Sequence, residues 1–219
     1  MNITIRKAVS EDKDFLITSI LEAEKSGGNV VSYCAIFGIT EDELRTALGH
    51  ILDEDMEGQE LAMSAFLVAE ADGERAAALS TWVEKAKGMS SSMIKSNLLM
   101  YFIDREKILA AGPNLTLMNE VAIPRDEYAL QIECVYTAPK YRGKGLTGKL
   151  IEAHIKQRQE DGMTFNKVQV ILLKNNVSAQ KAYEKAGFAV AEEKRCADRA
   201  ILKLLPSDTK ILMQKQLNS

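Results

Sequence analysis

A chain of 219 residues, 46% hydrophobic and 27% charged, has ordinary globular composition and room for one domain with a substantial core. The formal net charge of -3, with basic and acidic residues interleaved, argues against a nucleic-acid binder. No apolar run approaches the ~20 residues that a membrane span requires. The opening segment MNITIRKAVSEDKDF has no apolar leader stretch, and Cys34, Cys134 and Cys196 have neither disulfide nor zinc spacing. The expectation is a cytoplasmic protein without metal or membrane partner.

In chain order, residues 3–7 read as a first strand. Ser10 is placed to cap a helix whose first turn carries Glu11 and Asp12, with Phe15, Leu16, Ile20 and Leu21 as its apolar face, broken at 26–29. Thr40 with Glu43 forms a capping box for a second helix bearing Leu44, Leu48, Ile51 and Leu52. Residues 66–70 and 75–84 flank Ala71-Asp72-Gly73-Glu74 as a β-hairpin. Residues 85–126 are least legible: a helix from Ser90 through Ile108, ended by Gly112-Pro113, reads as an insertion. Residues 128–137 form a strand, and residues 167–173 a near-continuous apolar one, as in a parallel neighbour buried on both faces. The helix between them presents Leu146, Leu150, Ile151 and His154 to one side. Strand, helix, strand predicts a right-handed crossover. Ala179, Ala182, Tyr183 and Ala186 line a further helix that stops at Gly187, and residues 188–195 and 211–217 add antiparallel strands.

The loop after the 128–137 strand, Arg142-Gly143-Lys144-Gly145-Leu146-Thr147-Gly148, carries the chemistry. Glycines let the backbone approach a ligand, and a helix N-terminus offers unpaired N–H groups at the positive end of its dipole, which together favour a phosphate. Gly143, Gly145 and Gly148 fit G-x-G-x-x-G, but Ala138 to Arg142 separates strand from turn, and no acid ends the following strand. Gly143 to Lys149 nearly completes a P-loop, yet Leu150 stands where the magnesium-binding hydroxyl belongs.

A third pattern fits better. The run from Arg142 to Thr147 resembles the [QR]-x-x-G-x-[GA] pyrophosphate loop of the GNAT superfamily of N-acetyltransferases, with Thr147 in place of Gly or Ala. Asn176, Ala179, Tyr183, Gly187 and Phe188 resemble that family's N-x-x-A-x-x-x-Y-x-x-x-G-F signature, in the right order after the loop. The resemblance implies a single α/β domain over 1–219 with the GNAT fold: a mixed, mostly antiparallel sheet, a splayed parallel pair at its centre and helices on both faces. Residues 85–126 would be an insertion in it.

The resemblance also implies acetyl-CoA as cosubstrate and direct attack on its thioester by a primary amine in a ternary complex. The backbone of Val135 and Thr137 would pair with pantetheine, and an N–H near Val135 would stabilise the oxyanion. Amides from Gly143 through Gly145, Leu146 and Thr147 to Gly148 would hold the pyrophosphate, helped by the charges of Arg142 and Lys144. Asn176 would bond pantetheine or phosphate. Tyr183 is the candidate general acid, since a phenol lies close to a thiol in pKa. Glu133, two residues before Val135 and on the same strand face if no bulge intervenes, is the candidate base, with Glu127 and Asp126 as substitutes. Cys134 reads as a buried thiol on the opposite face, and His50 and His154 as packing or surface residues. The acceptor stays open between a small, cationic amine and a peptide or protein amine, and so does oligomeric state. An inactive acyl-CoA-binding sensor is the alternative to an enzyme.

Overall fold

The computed structural model describes residues 1–217. Strand β1 (Ile3–Lys7) pairs antiparallel with β2 (Phe66–Ala71), so the chain between them is a helical excursion: α1 (Lys13–Lys25), α2 (Ser32–Phe37) and α3 (Glu41–Glu54). The capping box forms as expected, Glu43 N donating to Thr40 Oγ1 at 3.2 Å and Thr40 N to Glu43 Oε2 at 2.7 Å. Ser10 does not cap a helix. It opens a 3-10 turn, Ser10–Asp12, and α1 starts one residue later. Asp12 is buried and accepts from Arg6 and Arg75, each at 2.5 Å, a stronger partnership than an exposed helix dipole offers. The short α2, without a sequence signal, forms because Tyr33, Ile36 and Phe37 are buried, and Gly38 ends it at φ 62°.

After the hairpin to β3 (Glu74–Val83), residues 85–126 hold three helices rather than one: α4 (Ser91–Phe102), α5 (Arg105–Ala110) and α6 (Gly112–Asn119). Asp104 starts α5 by accepting from Glu106 N at 2.8 Å. Helix α5 ends at Ala110, before Gly112-Pro113 as expected, and the pair also opens α6, because a first turn does not need the N–H that proline lacks. Then follow β4 (Leu130–Thr137), α7 (Leu146–Glu160), β5 (Lys167–Leu173), α8 (Val177–Lys185), β6 (Ala189–Arg195) and β7 (Thr209–Gln216). Ala182, expected on the inner face of α8, is exposed; Ala179, Tyr183 and Ala186 make the contact.

The strands form one sheet in the order β1-β2-β3-β4-β5-β7-β6, antiparallel throughout except for β4 and β5. That parallel seam is short: Leu130, Gln131 and Ile132 pair with Val168, Gln169 and Val170, and beyond them the strands part. One face of the sheet packs under α1, α3 and α4, with Ala78, Cys134 and Leu173 in its core. The other packs under α7 and α8, with Leu130, Ile132, Val168, Val170, Tyr183 and Met213.

Strand β4 does not alternate evenly. Its register against β3 runs from Ser80↔Glu133 to Ala78↔Tyr136, so Leu79 faces both Cys134 and Val135. Cys134 takes φ 52° to accommodate this bulge. Glu133, paired with Ser80, and Cys134 therefore share the α1 face, while Val135 packs on the α7 face. This reverses two sequence expectations. Glu133 and Val135 lie on opposite faces, and Cys134 lies with Glu133.

Candidate functional site

Tyr141 anchors the loop before it turns. Its hydroxyl donates to Glu74 at 2.6 Å, its ring is buried, and the Nζ of Lys144 lies 5.1 Å from the ring centroid. Gly143 and Gly145 then adopt φ 75° and 73°, in the left-handed region that glycine enters at little cost, and Gly145 caps α7. Arg142, Gly143, Lys144 and Gly145 are exposed, Thr147 and Gly148 half-buried, and the Leu146 side chain is buried as the plug of the first turn. The first α7 hydrogen bond is Lys149 N to Gly145 O at 3.2 Å. Among the described residues, the amides of Gly143 to Gly148 thus have no acceptor. A Cβ at Gly143, Gly145 or Gly148 would meet only open space. The arrangement is a row of free donors at a helix N-terminus, facing outward, with cations beside it.

The strand splay begins one turn away. Ala138 N donates to Ala76 O on β3, so alternation turns the backbone of Thr137, and of Val135 before it, away from β3 and toward β5. No pairing with β5 extends beyond Ile132, which leaves the Val135 amide facing the gap. The Thr137 carbonyl is partly spoken for: Arg142 Nε donates to it at 3.2 Å, tying that side chain to the strand end.

Asn176 is the N-cap of α8, its Oδ1 accepting from Ala179 N at 3.2 Å while its Nδ2 donates to Ser26 Oγ at 3.2 Å. Tyr183, two turns along, is 4% exposed and packs on Phe188 with ring centroids 5.7 Å apart. Burial pushes its phenol well up, and the charge of Glu133 adds to the shift. Glu133 itself accepts from Arg125 at 2.5 Å, and Arg125 stacks over Trp82 at 4.9 Å. The substitutes lie elsewhere: Glu127 is exposed and paired with Lys85, and Asp126 accepts from Lys167 at 2.7 Å. His154 is buried, with Nε2 donating to the carbonyl of Leu79 at 3.0 Å and Nδ1 accepting from Thr81 Oγ1 at 2.9 Å. Burial drops its pKa to about 3, so it is a neutral prop behind the bulge. His50 stacks on Phe102 at 5.4 Å. Among the described residues no His, Cys, Asp and Glu group could hold a metal, and no helix is long and apolar enough to cross a membrane.

Residues 114–190 match the family model of the acetyltransferase (GNAT) domain. The likeness is to a GNAT acetyltransferase domain and spans 77 of the 219 residues. An N-acetyltransferase from Staphylococcus aureus Mu50 superposes with a TM-score of 0.65 at 17% identity, over 97% of this chain and 100% of that one. A putative acetyltransferase from Salmonella typhimurium, solved with its cofactor acetyl-CoA, gives 0.55 at 16% identity over 100% and 96% of the two chains. A phosphinothricin acetyltransferase from Sinorhizobium meliloti in complex with acetyl-CoA gives 0.53 at 14% over 100% and 90%. These likenesses establish the fold. A curated mycothiol acetyltransferase of Corynebacterium aurimucosum is 40% identical over 63 residues, 29% of this chain and 20% of its own length, so the match spans about a fifth of that relative.

The sheet also carries a polar group that sequence reasoning missed. On the α1 face, around Glu133, lie Glu24 of α1, Tyr33 of α2, Glu60, Lys95 of α4, Arg125 and Lys210 of β7. Glu24 extends the buried Leu16–Ile20 stripe of α1 by one turn, and α1 lies directly over β4. An acid on an apolar stripe was the signal available in the sequence. Lys210 lies opposite Leu173 in the β5–β7 pairing and shares its face, at the end where β5 has left β4.

Proposed function

We propose that this chain transfers the acetyl group of acetyl-CoA to a primary amine by direct attack in a ternary complex. The observation that carries the reading is the row of acceptorless amides at Gly143–Gly148 next to an unpaired strand edge at Val135 and Thr137. A pyrophosphate fits the first and an extended amide-bearing arm fits the second, and acetyl-CoA has both. The thioester supplies the activated acetyl group. Leu146 and Tyr141 hold the loop in its outward-facing form, and Lys144 adds charge at its tip.

Tyr183 is the proposed acid for the departing thiolate. Its raised pKa means that it carries its proton across the working range, and Phe188 fixes its ring. The Val135 N–H, facing the gap, is the proposed oxyanion donor, an interaction worth ~3 kcal/mol when preorganised. Glu133 is the proposed base: held by Arg125 and facing α1, it would draw the amine proton through water, since the bulge turns it away from Val135. Asn176, committed to capping α8, acts by fixing the helix that carries Tyr183 more than as a ligand. Calorimetry with acetyl-CoA, followed by thiol release across an amine panel, tests this. Binding with turnover supports it; binding without turnover favours the acyl-CoA sensor; no binding removes both.

A further inference from the structure

We propose that the acceptor is a small zwitterion of the amino-acid type, its ammonium end received by Glu24 and its anionic end by Lys210. The inference rests on the acetyltransferase reading and adds the substrate class. The starting observation is how the charges on the α1 face pair off. Lys95 bonds Glu60, and Arg125 bonds Glu133 at 2.5 Å. Among the described residues Glu24 and Lys210 are left without an ion-pair partner, one of each sign. Both are half-buried, where a charge is less well hydrated than in open water. Burial pushes Glu24 up to about 7 and pushes Lys210 down, and each shift is tempered by the opposite charge of the other.

Their positions fit one small molecule. Glu24 hangs from the last turn of α1 over β4, with Ser32 and Tyr33 of α2, Lys95 of α4 and Glu133 of β4 around it. Lys210 rises from β7 opposite Leu173, the last residue of β5, and feels the charges of Glu133, Glu24, Lys95 and Arg125. The gap between β4 and β5 lies between them. An acceptor bridging Glu24 and Lys210 therefore sets its amine above the splay, next to Val135 and within the field of Glu133. A plain cationic amine would answer Glu24 and leave Lys210 uncompensated. A peptide N-terminus lacks the adjacent carboxylate. Glu127 lies elsewhere, and Arg125 pairs with Glu133.

The test measures thiol release from acetyl-CoA with proteinogenic amino acids, each beside its decarboxylated amine and a short peptide bearing it at the N-terminus. At least one amino acid should exceed both of its counterparts in kcat/KM by on the order of 10–100-fold, as loss of a charged hydrogen bond would give. Lys210→Met should remove that preference by raising the amino-acid KM, with acetyl-CoA affinity unchanged by calorimetry and Lys210→Arg restoring part of it. In Glu24→Gln, the rise of KM below pH 7 should disappear. Equal or better turnover of the decarboxylated amines or peptides, no turnover of any pair, or an unaltered preference in Lys210→Met would each overturn the proposal. Failure to bind acetyl-CoA would instead remove the reading beneath it.

Discussion

Tyr183 illustrates how one side chain divides a packing role from a chemical one. Its ring contacts would survive loss of the hydroxyl, so Tyr183→Phe should keep the fold and the acetyl-CoA dissociation constant while kcat falls roughly 10²–10³-fold. Steady-state kinetics with calorimetry on the same preparation checks it, and an unchanged kcat would leave only the packing role. Glu133→Gln tests the base: kcat should fall with the acetyl-CoA dissociation constant unchanged, and an unaltered kcat excludes the residue. The sequence exposed Tyr183 through its fixed place in a signature. It concealed the meaning of Glu133, because a carboxylate written on a strand does not disclose that Arg125, from a loop with no regular pattern, closes on it. Glu24 was legible in principle, since Leu16, Ile20 and Glu24 recur four residues apart.

At the scale of an element, β4 decides the site through one irregularity. Counting alternate residues fails after Glu133, because Cys134 rather than glycine occupies the left-handed position and so leaves no mark in the sequence. A β-branched residue is poorly suited there: Cys134→Val should cost about 1–3 kcal/mol in urea unfolding and lower kcat, whereas Cys134→Gly should hold the strand geometry. His154→Ala should cost about 1–3 kcal/mol as well, because the Leu79 carbonyl opposite the bulge loses its donor. Helix α6 teaches a related lesson. Gly112-Pro113 follows the end of α5 and also begins α6, while the break that the hydrophobic pattern hides is the capped restart at Asp104.

For the whole molecule, the two ends of the GNAT signature were readable because both are backbone devices, a loop of glycines and a capped helix, whose demands fall on residue type. The proposed acceptor side was not, because its groups come from α1, α2, α4, β4 and β7, segments far apart in the chain. Stability should report its buried groups. His154 titrates near 3 folded against 6.5 unfolded, so the fold loses stability as pH falls from about 6.5 toward 3. Glu24 holds its proton to about 7 against 4.5 unfolded, so its contribution is present at low pH and lost as pH rises from about 4.5 to 7. Urea midpoints at pH 5 and 8 should accordingly show Glu24→Gln gaining on the parent protein at the higher value. Gly145→Val, at φ 73° and with its Cβ in the ligand space, should cut acetyl-CoA affinity more than tenfold, read by calorimetry.

The brevity of the β4–β5 seam has a mechanical consequence. The sheet is two slabs, β1 to β4 and β5 to β6, stitched edge to edge by three residues a side, with helices bracing the remainder. A ligand wedged into the open end would act as extra stitching, so deuterium uptake at Val135 should be fast in the free protein and slow once coenzyme is bound. Saturation at about a hundred times the dissociation constant would add ~2.7 kcal/mol to the unfolding free energy, most of it felt at that join.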